Sequence, residues 1–133
     1  MARTKPCTAA DARALARYAA AYLDTAKRVR DEGGEGADHV ATGNAVLAAI
    51  AASDAICGAL LGERSRGTDH RDAVRLLGSI RRDDAKRLAD ALMQSLDTKD
   101  AAHYGIASVA RDAQVRALRA AETLVAVARE VTA

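Results

Sequence analysis

The chain has 133 residues, half of them apolar and 29% charged, and its formal net charge is +2. This length fits one domain and this composition excludes a disordered chain, while so small a net charge gives no reason by itself to expect nucleic-acid binding. The apolar residues include no Phe, no Trp and three Tyr, so the core has to be built from Ala, Leu, Val and Ile. Because Ala favours helices, the composition predicts an all-α fold.

Helical spacing of apolar residues predicts a first helix that begins after Pro6. Thr8 is its expected N-cap, and Asp11 stands three residues later, where a carboxylate bonds to the exposed amides at a helix start. The glycine-rich run 31–36 ends this helix, because glycine loses more backbone entropy than other residues in a helix. Residues 1–7 are expected to form a flexible N-terminus.

A second helix is predicted from about Asp38 to Leu61. It is apolar on nearly every side, which is typical of a helix at the centre of a bundle, and Leu47 is expected among its buried residues. Gly62 is the expected C-terminal stop. A charged loop is predicted to follow over 63–67.

Three further helices follow in the pattern. Thr68 is the expected N-cap of the third, short helix, and the charged run 81–84 separates it from the fourth. The fourth helix is expected to end around 97–100, and Ser108 is expected to cap the fifth, on which Leu124 faces inward. The prediction is one domain, an up-and-down bundle of four to five helices.

The N-terminus carries charges and offers no uninterrupted apolar stretch for a signal peptide, and no segment approaches the roughly 18 uncharged apolar residues of a membrane span. We therefore expect a cytoplasmic protein without membrane contact. Cys7 and Cys57 make neither a disulfide framework nor a metal-ligand spacing, and both are expected to be reduced thiols. The three histidines lack ligand partners at diagnostic spacing, so no metal and no cofactor is expected.

The segment between helices two and three carries the strongest signal of a site. Free amides at a helix start and the planar guanidinium group of Arg both suit phosphate oxygens. The expected nucleotide- or phosphate-binding residues are Arg64, Arg66, Thr68, Arg71 and Arg75. His70 can transfer protons near neutral pH, and Asp54 on helix two can orient its neighbours. The alternative is structural: solvated arginines, diluted by nearby carboxylates, and a histidine that packs at a helix start.

In this order of elements the chain resembles the HEPN (higher eukaryotes and prokaryotes nucleotide-binding) domains. The resemblance extends from about Asp38 to Val131. It rests on the apolar helix 51–57, on the opening Thr68-Asp69-His70 before 74–77, and on the segment 102–105 before the long last helix. It implies a bundle of four or five helices that pairs into a homodimer.

The resemblance also implies function, because many HEPN members are RNases of toxin–antitoxin or antiphage systems, or partners of nucleotidyltransferase-like proteins. Catalytic members carry Arg, four to six residues, then His, and Arg64 and His70 meet that spacing. In catalytic members the pair stands nearer the last long helix, where this chain has His103 preceded by Lys99 and not by Arg.

Three hypotheses follow. The first is a HEPN-like module without catalysis that binds a nucleotide, RNA or another nucleic acid, or a protein partner. The second is a metal-independent endoribonuclease with Arg64, His70 and Asp54 as catalytic residues: His70 moves the proton, Arg64 stabilises the charged phosphate, and Asp54 positions one of them. The third is a structural dimerisation module that pairs through the small-residue faces of helix two or five.

Overall fold

The computed structural model of the chain describes residues 3–67, 69–104 and 107–133, of which 100–104 and 107–109 are described by their backbone alone. In this part of the chain it contains five helices and one two-stranded antiparallel sheet. The helices are α1 (Ala9–Glu32), α2 (Ala37–Leu61), α3 (His70–Gly78), α4 (Ala85–Tyr104) and α5 (Ala107–Thr132), and the strands are β1 (Thr4–Pro6) and β2 (Glu63–Ser65). The prediction of a helical bundle is confirmed, and the small sheet is an addition to it.

The four long helices alternate in direction along the chain. A short glycine turn joins α1 to α2, which pack side by side. Gln114, near the start of α5, donates to Asp38 at the start of α2 over 2.9 Å, so these two helices run the same way. Arg82, just before α4, lies 3.4 Å from Glu130 near the end of α5, so α4 and α5 are antiparallel. The short α3 packs mainly against α4 at the end of the bundle where α2 ends.

The start of α1 shows why the predicted boundary is correct. Thr8 accepts a hydrogen bond from the backbone amide of Asp11 at 3.0 Å, and the Asp11 carboxylate accepts one from the amide of Thr8 at 3.1 Å. This capping box satisfies two amides that would otherwise lack partners. The face that follows is lined by small buried residues, Ala12, Ala16, Ala19 and Ala26, with Leu23, which lets α1 lie close to α2.

Helix α2 is buried along most of its length, as predicted for a central helix. Val46 and Ile56 are 4% and 0% exposed, but Leu47 is 47% exposed, so its prediction as a buried residue is wrong. Val40, two turns earlier on the same side of α2, is likewise exposed. Since this helix is apolar all round, periodicity did not identify which side faces solvent.

By its length and composition, α2 is also apolar enough to cross a membrane, which corrects the expectation that no segment approaches a membrane span. In the fold, 61% of its apolar 18-residue stretch is buried inside the protein. A central bundle helix needs the same composition, so this feature alone says nothing about a membrane.

The N-terminal segment corrects two predictions. Residues expected to be flexible form β1, which pairs with β2 in the register Thr4 with Ser65, Lys5 with Arg64 and Pro6 with Glu63. The segment 63–67, expected to be a loop, therefore begins with a strand. The amide of Cys7 then donates to the carbonyl of Gly62 at 3.0 Å, and the Cys7 side chain is only 2% exposed. Tertiary pairing, and not local periodicity, orders this ribbon of β1 and β2.

Three helix ends also differ from their predicted positions. Asp69, not Thr68, is the N-cap of α3, because its carboxylate accepts a hydrogen bond from the amide of Arg71 at 3.0 Å; Thr68 itself lies outside the described residues. Helix α4 continues to Tyr104 instead of ending at 97–100, since nothing in that run breaks a helix. Helix α5 begins at Ala107, so Ser108 is inside it.

Candidate functional site at the end of helix α2

A small cavity lies where α2, β2, α3 and α4 meet. Its volume is about 140 Å³. Helices α2 and α4, strand β2 and the start of α3 all contribute residues to its lining. The lining residues are Ile50, Ser53, Asp54, Ser65, Gly67, Asp69, His70, Ala73, Leu92 and Leu96. Four of these side chains are apolar (Ile50, Ala73, Leu92 and Leu96), and the polar groups come from α2, β2 and the start of α3.

Two carboxylates line this cavity, Asp54 and Asp69, and Asp54 is the more buried of the two. Its side chain is 15% exposed, and its Oδ2 accepts a hydrogen bond from the Arg64 guanidinium at 3.4 Å. Burial raises the pKa of Asp54 above its ordinary value, and Arg64 acts in the opposite direction with a smaller effect. Among the described residues no group donates to the other oxygen, Oδ1, which leaves it able to accept a hydrogen bond from a ligand.

Ser65 and His70 complete the polar lining. The Oγ of Ser65 is buried and has no hydrogen-bond partner among the described residues, an uncommon situation that costs free energy unless a ligand or water supplies the partner. His70 is the first residue of α3, exposed to solvent at the rim. Two carboxylates (Asp54 and Asp69), two hydroxyls (Ser53 and Ser65) and one imidazole therefore border one small cavity.

The predicted phosphate-binding arginines differ in whether a carboxylate lies next to them. Arg71 makes two hydrogen bonds of 3.3 Å to Asp69, and these lower the pKa of that carboxyl, while Arg75 lies 3.7 Å from Asp72. Arg66 is exposed and has no carboxylate within 4.0 Å among the described residues. Because neighbouring carboxylates offset the charge on α3, the predicted phosphate cluster is only partly assembled.

Of the three predicted catalytic residues, Asp54 lies close to each of the other two, but the three do not line one cavity together. Asp54 and His70 line the same cavity, and Asp54 bonds to Arg64, but Arg64 is not among the lining residues. Lys99 is exposed on α4, whereas the side chain of His103 lies outside the described residues. Sequence reasoning missed Ser65, because a lone serine in a short strand gives no signal before its pairing is known.

Metal and thiol chemistry have little support at this site. Among the residues that the structure describes, no three His, Cys, Asp or Glu side chains group as metal ligands. Cys57 is buried within α2, and desolvation together with nearby Asp54 raises its pKa to about 12. Since the thiolate is the nucleophile, a buried thiol with such a pKa is unsuited to catalysis. The prediction that Cys57 is a core residue is confirmed.

A larger groove of about 700 Å³ runs along the outside of α4 and α5. It is bordered by Arg87, Arg116 and Arg119 together with Asp90 and Asp97. Charges of both signs line this open surface. In the described part of the chain, some buried side-chain oxygens lack a hydrogen-bond partner, but none of them lies in this groove. We therefore place the candidate site in the smaller cavity.

No known family model, curated protein or solved structure matches the chain. The relation to HEPN domains stays a prediction from the sequence pattern. Any function therefore has to be argued from the cavity and the charges around it.

Proposed function

We propose that the chain is a HEPN-like helical module without catalytic activity, and that it binds a nucleotide at the cavity between α2, β2, α3 and α4. The observation that carries the proposal is the convergence of Asp54, Ser65 and His70 on one small cavity that is also lined by Ile50, Leu92 and Leu96. Apolar walls with a few convergent polar groups are typical of small-molecule sites.

The volume fits one planar ring. Cavities for drug-sized ligands hold about 300–1,000 Å³, whereas an apolar cavity of about 150 Å³ holds benzene. At about 140 Å³ the cavity accepts a base and leaves the sugar and phosphate outside. The free oxygen of Asp54 accepts a hydrogen bond from an amino group on the base, and the hydroxyl of Ser65 either donates or accepts. A base with an exocyclic amino group on a single ring is the best match.

The phosphate has a partner outside the opening. Arg66 follows β2 directly and is exposed, and a guanidinium group can bond to two phosphate oxygens at once. The imidazole of His70 at the rim offers a further donor. These positions favour a nucleotide bound with its base inside the cavity and its phosphate outside.

Calorimetric titration with cytidine monophosphate tests the proposal. Ser65→Ala and His70→Ala are expected to weaken binding about fivefold to a hundredfold, which is the usual effect of losing one partner of a buried or charged hydrogen bond. The matched control is His39→Ala, since His39 is exposed on α2 and is not part of the cavity. No saturable binding of any nucleoside monophosphate, or equal loss in the control, would contradict the proposal.

The ribonuclease remains the second candidate, favoured by the contact between Asp54 and Arg64 and by the shared cavity of Asp54 and His70. In that mechanism His70 transfers the proton from the ribose hydroxyl and Arg64 stabilises the charged phosphate. Incubation of the purified chain with RNA, without added metal, decides between the two. If the chain cleaves RNA, if His70→Ala abolishes the cleavage and if His39→Ala keeps it, the protein is a ribonuclease and not a binding module without catalysis.

Pairing with a second copy or with another protein is a separate proposal, and it fits either candidate. Light scattering at low micromolar concentration tests the homodimer directly. A monomer under those conditions would remove dimerisation from the proposed function and leave nucleotide binding unaffected.

A further inference from the structure

The ribbon of β1 and β2 carries an unusual concentration of basic residues on one face. Side chains alternate between the two faces of a strand, and the register places Lys5 directly opposite Arg64. Arg3 and Arg66 come next on the same side, linked by a hydrogen bond of 3.0 Å from the amide of Arg66 to the carbonyl of Arg3. Two cations on the ribbon and one directly beyond the end of each strand therefore share one face. We name Arg3, Lys5, Arg64 and Arg66 the basic face.

The opposite face of the ribbon carries Thr4, Glu63 and Ser65, which are partly buried, and the exposed Pro6. Thr4 donates to the carboxylate of Glu63 at 3.1 Å, and Ser65 lines the cavity. Arg64 of the basic face bonds to Asp54, which also lines the cavity, so the basic face and the cavity adjoin at β2. A ligand held in the cavity can extend across the edge of β2 onto the basic face.

The charges of the basic face are only partly neutralised. Arg64 bonds to Asp54 and is close to Asp11, whose carboxylate is already held by Thr8. Arg3, Lys5 and Arg66 have no carboxylate within 4.0 Å among the described residues, and all three are exposed.

Like charges directly opposite each other destabilise a strand pair, so the pairing of Lys5 with Arg64 has a stability cost. An anionic ligand would relieve this repulsion. The net charge of the whole chain is only +2. Arg3, Lys5 and Arg66, which have no carboxylate within 4.0 Å in the described part of the chain, therefore concentrate positive potential at one end of the molecule.

We propose that the basic face binds the backbone of a single-stranded nucleic acid whose terminal or unpaired base enters the cavity. The base contact rests on the proposed function, but the backbone contact does not. Cations two residues apart on one strand are about 7 Å apart and neighbouring strands are about 5 Å apart, so several can contact one stretch of backbone. Because the cavity has room for one base and the base must leave its pair to enter it, an unpaired strand fits and a duplex does not.

An anionic membrane is the competing partner for such a surface, and the structure favours it less. Membrane-binding elements combine basic residues with an apolar face that inserts among the lipids. Here the other face of the ribbon carries the polar residues Thr4, Glu63 and Ser65, with Pro6 as its one apolar residue, so the ribbon offers no apolar face for insertion among lipids.

Fluorescence polarisation with a short labelled oligocytidylate tests the proposal. Three unpaired cations predict a slope of log affinity against log salt concentration of about −2 for a single strand. The double variant Lys5→Glu, Arg66→Glu is expected to bind more than about tenfold more weakly, with a slope closer to zero. The control is Arg116→Glu, Arg119→Glu on the outer face of α5, which makes the same change of charge far from the ribbon and is expected to stay within about twofold.

The outcomes separate the two proposals. If Ser65→Ala loses cytidine monophosphate but keeps salt-dependent oligonucleotide binding, the cavity and the basic face are both supported. If the control weakens oligonucleotide binding as much as the ribbon variant does, the basic face is not the site. Binding to vesicles that contain phosphatidylserine, lost in the ribbon variant and without any binding of oligonucleotide, would assign the face to a membrane and overturn the proposal. Neutral Lys5→Gln, Arg66→Gln gives the same comparison should the charge reversal disturb folding.

Discussion

The sulfur of Cys7 lies against Gly58 of α2, where only a hydrogen atom fits between them. A methyl group at Gly58 would collide with that sulfur and come within 3.2 Å of the Cβ of Ala12. The contact brings the end of β1 onto the end of α2, and the bond from Cys7 to Gly62 fixes it there. The position of the ribbon, and with it one border of the cavity, depends on this close approach.

Gly58→Ala is therefore expected to destabilise the protein. Overpacking a close contact costs about 1–3 kcal/mol, which outweighs the roughly 1 kcal/mol that alanine gains over glycine in a helix. Urea denaturation measures the change in the free energy of unfolding. Adding Cys7→Ala to this variant removes the colliding sulfur, so the double variant is expected to recover part of the loss.

Gly43→Ala is the matched control on the same helix. Gly43 is exposed, and nothing lies within 4 Å of the added methyl group. Only the helix propensity then acts, and we expect a gain of about 0.5–1 kcal/mol. An equal gain at Gly58 would show that Cys7 does not pack as described.

Leu124 and Leu47 should respond very differently to truncation. Leu124 on α5 is 0% exposed, and Leu124→Ala is expected to cost about 2–5 kcal/mol through lost burial and the cavity that it leaves. Leu47 is 47% exposed, so Leu47→Ala is expected to change the free energy of unfolding by less than about 1 kcal/mol. Thermal or urea unfolding of both variants measures the difference, and comparable losses would contradict the assigned faces of α2.

The helices could be predicted because their signals are local. The capping box of Thr8 and Asp11 and the stop at Gly62 depend on residues a few positions apart. The solvent-facing side of α2 could not be predicted, because residues on all its sides are apolar and the orientation is set by α1 and α5. That is why Leu47 was assigned to the core.

The sequence predicted only those residues of the candidate site whose positions follow from nearby residues in the chain. Asp54 and His70 were recognised from helix two and the start of helix three, and they do share a cavity. Lys5 was missed, because its position depends on pairing with Arg64, 59 residues later. Strands of three residues have no measurable period, so the sequence predicted Arg64 and Arg66 as phosphate-binding residues but not the ribbon that places them with Lys5.

Both cysteines are expected to resist thiol reagents while the protein is folded. Burial raises the pKa of Cys7 and, together with nearby Asp54, raises that of Cys57 to about 12, so little thiolate forms at mildly alkaline pH. Ellman's reagent should detect almost no thiol in the native protein and both thiols in concentrated guanidinium chloride. Rapid native reaction that Cys7→Ser removes would show that the N-terminal segment opens and exposes that sulfur.

The raised pKa of Asp54 predicts how stability changes with pH. Because the folded state raises this pKa above its ordinary value of 3.8, the group contributes stability that is fully present below that value. This contribution is lost as pH rises through the folded-state pKa. Asp54→Asn keeps the shape and cannot titrate, so the stability of the natural protein minus that of the variant should fall as pH rises from about 4 towards neutral.

Urea denaturation across this range measures that difference directly. If the difference rises with pH instead, the attraction of Arg64 outweighs burial and the pKa of Asp54 is lowered. Arg64→Met separates the two effects, since it removes the attraction and leaves the burial. We expect this variant to lose stability more steeply with pH than the natural protein, because the carboxylate would then ionise in a buried position without its partner.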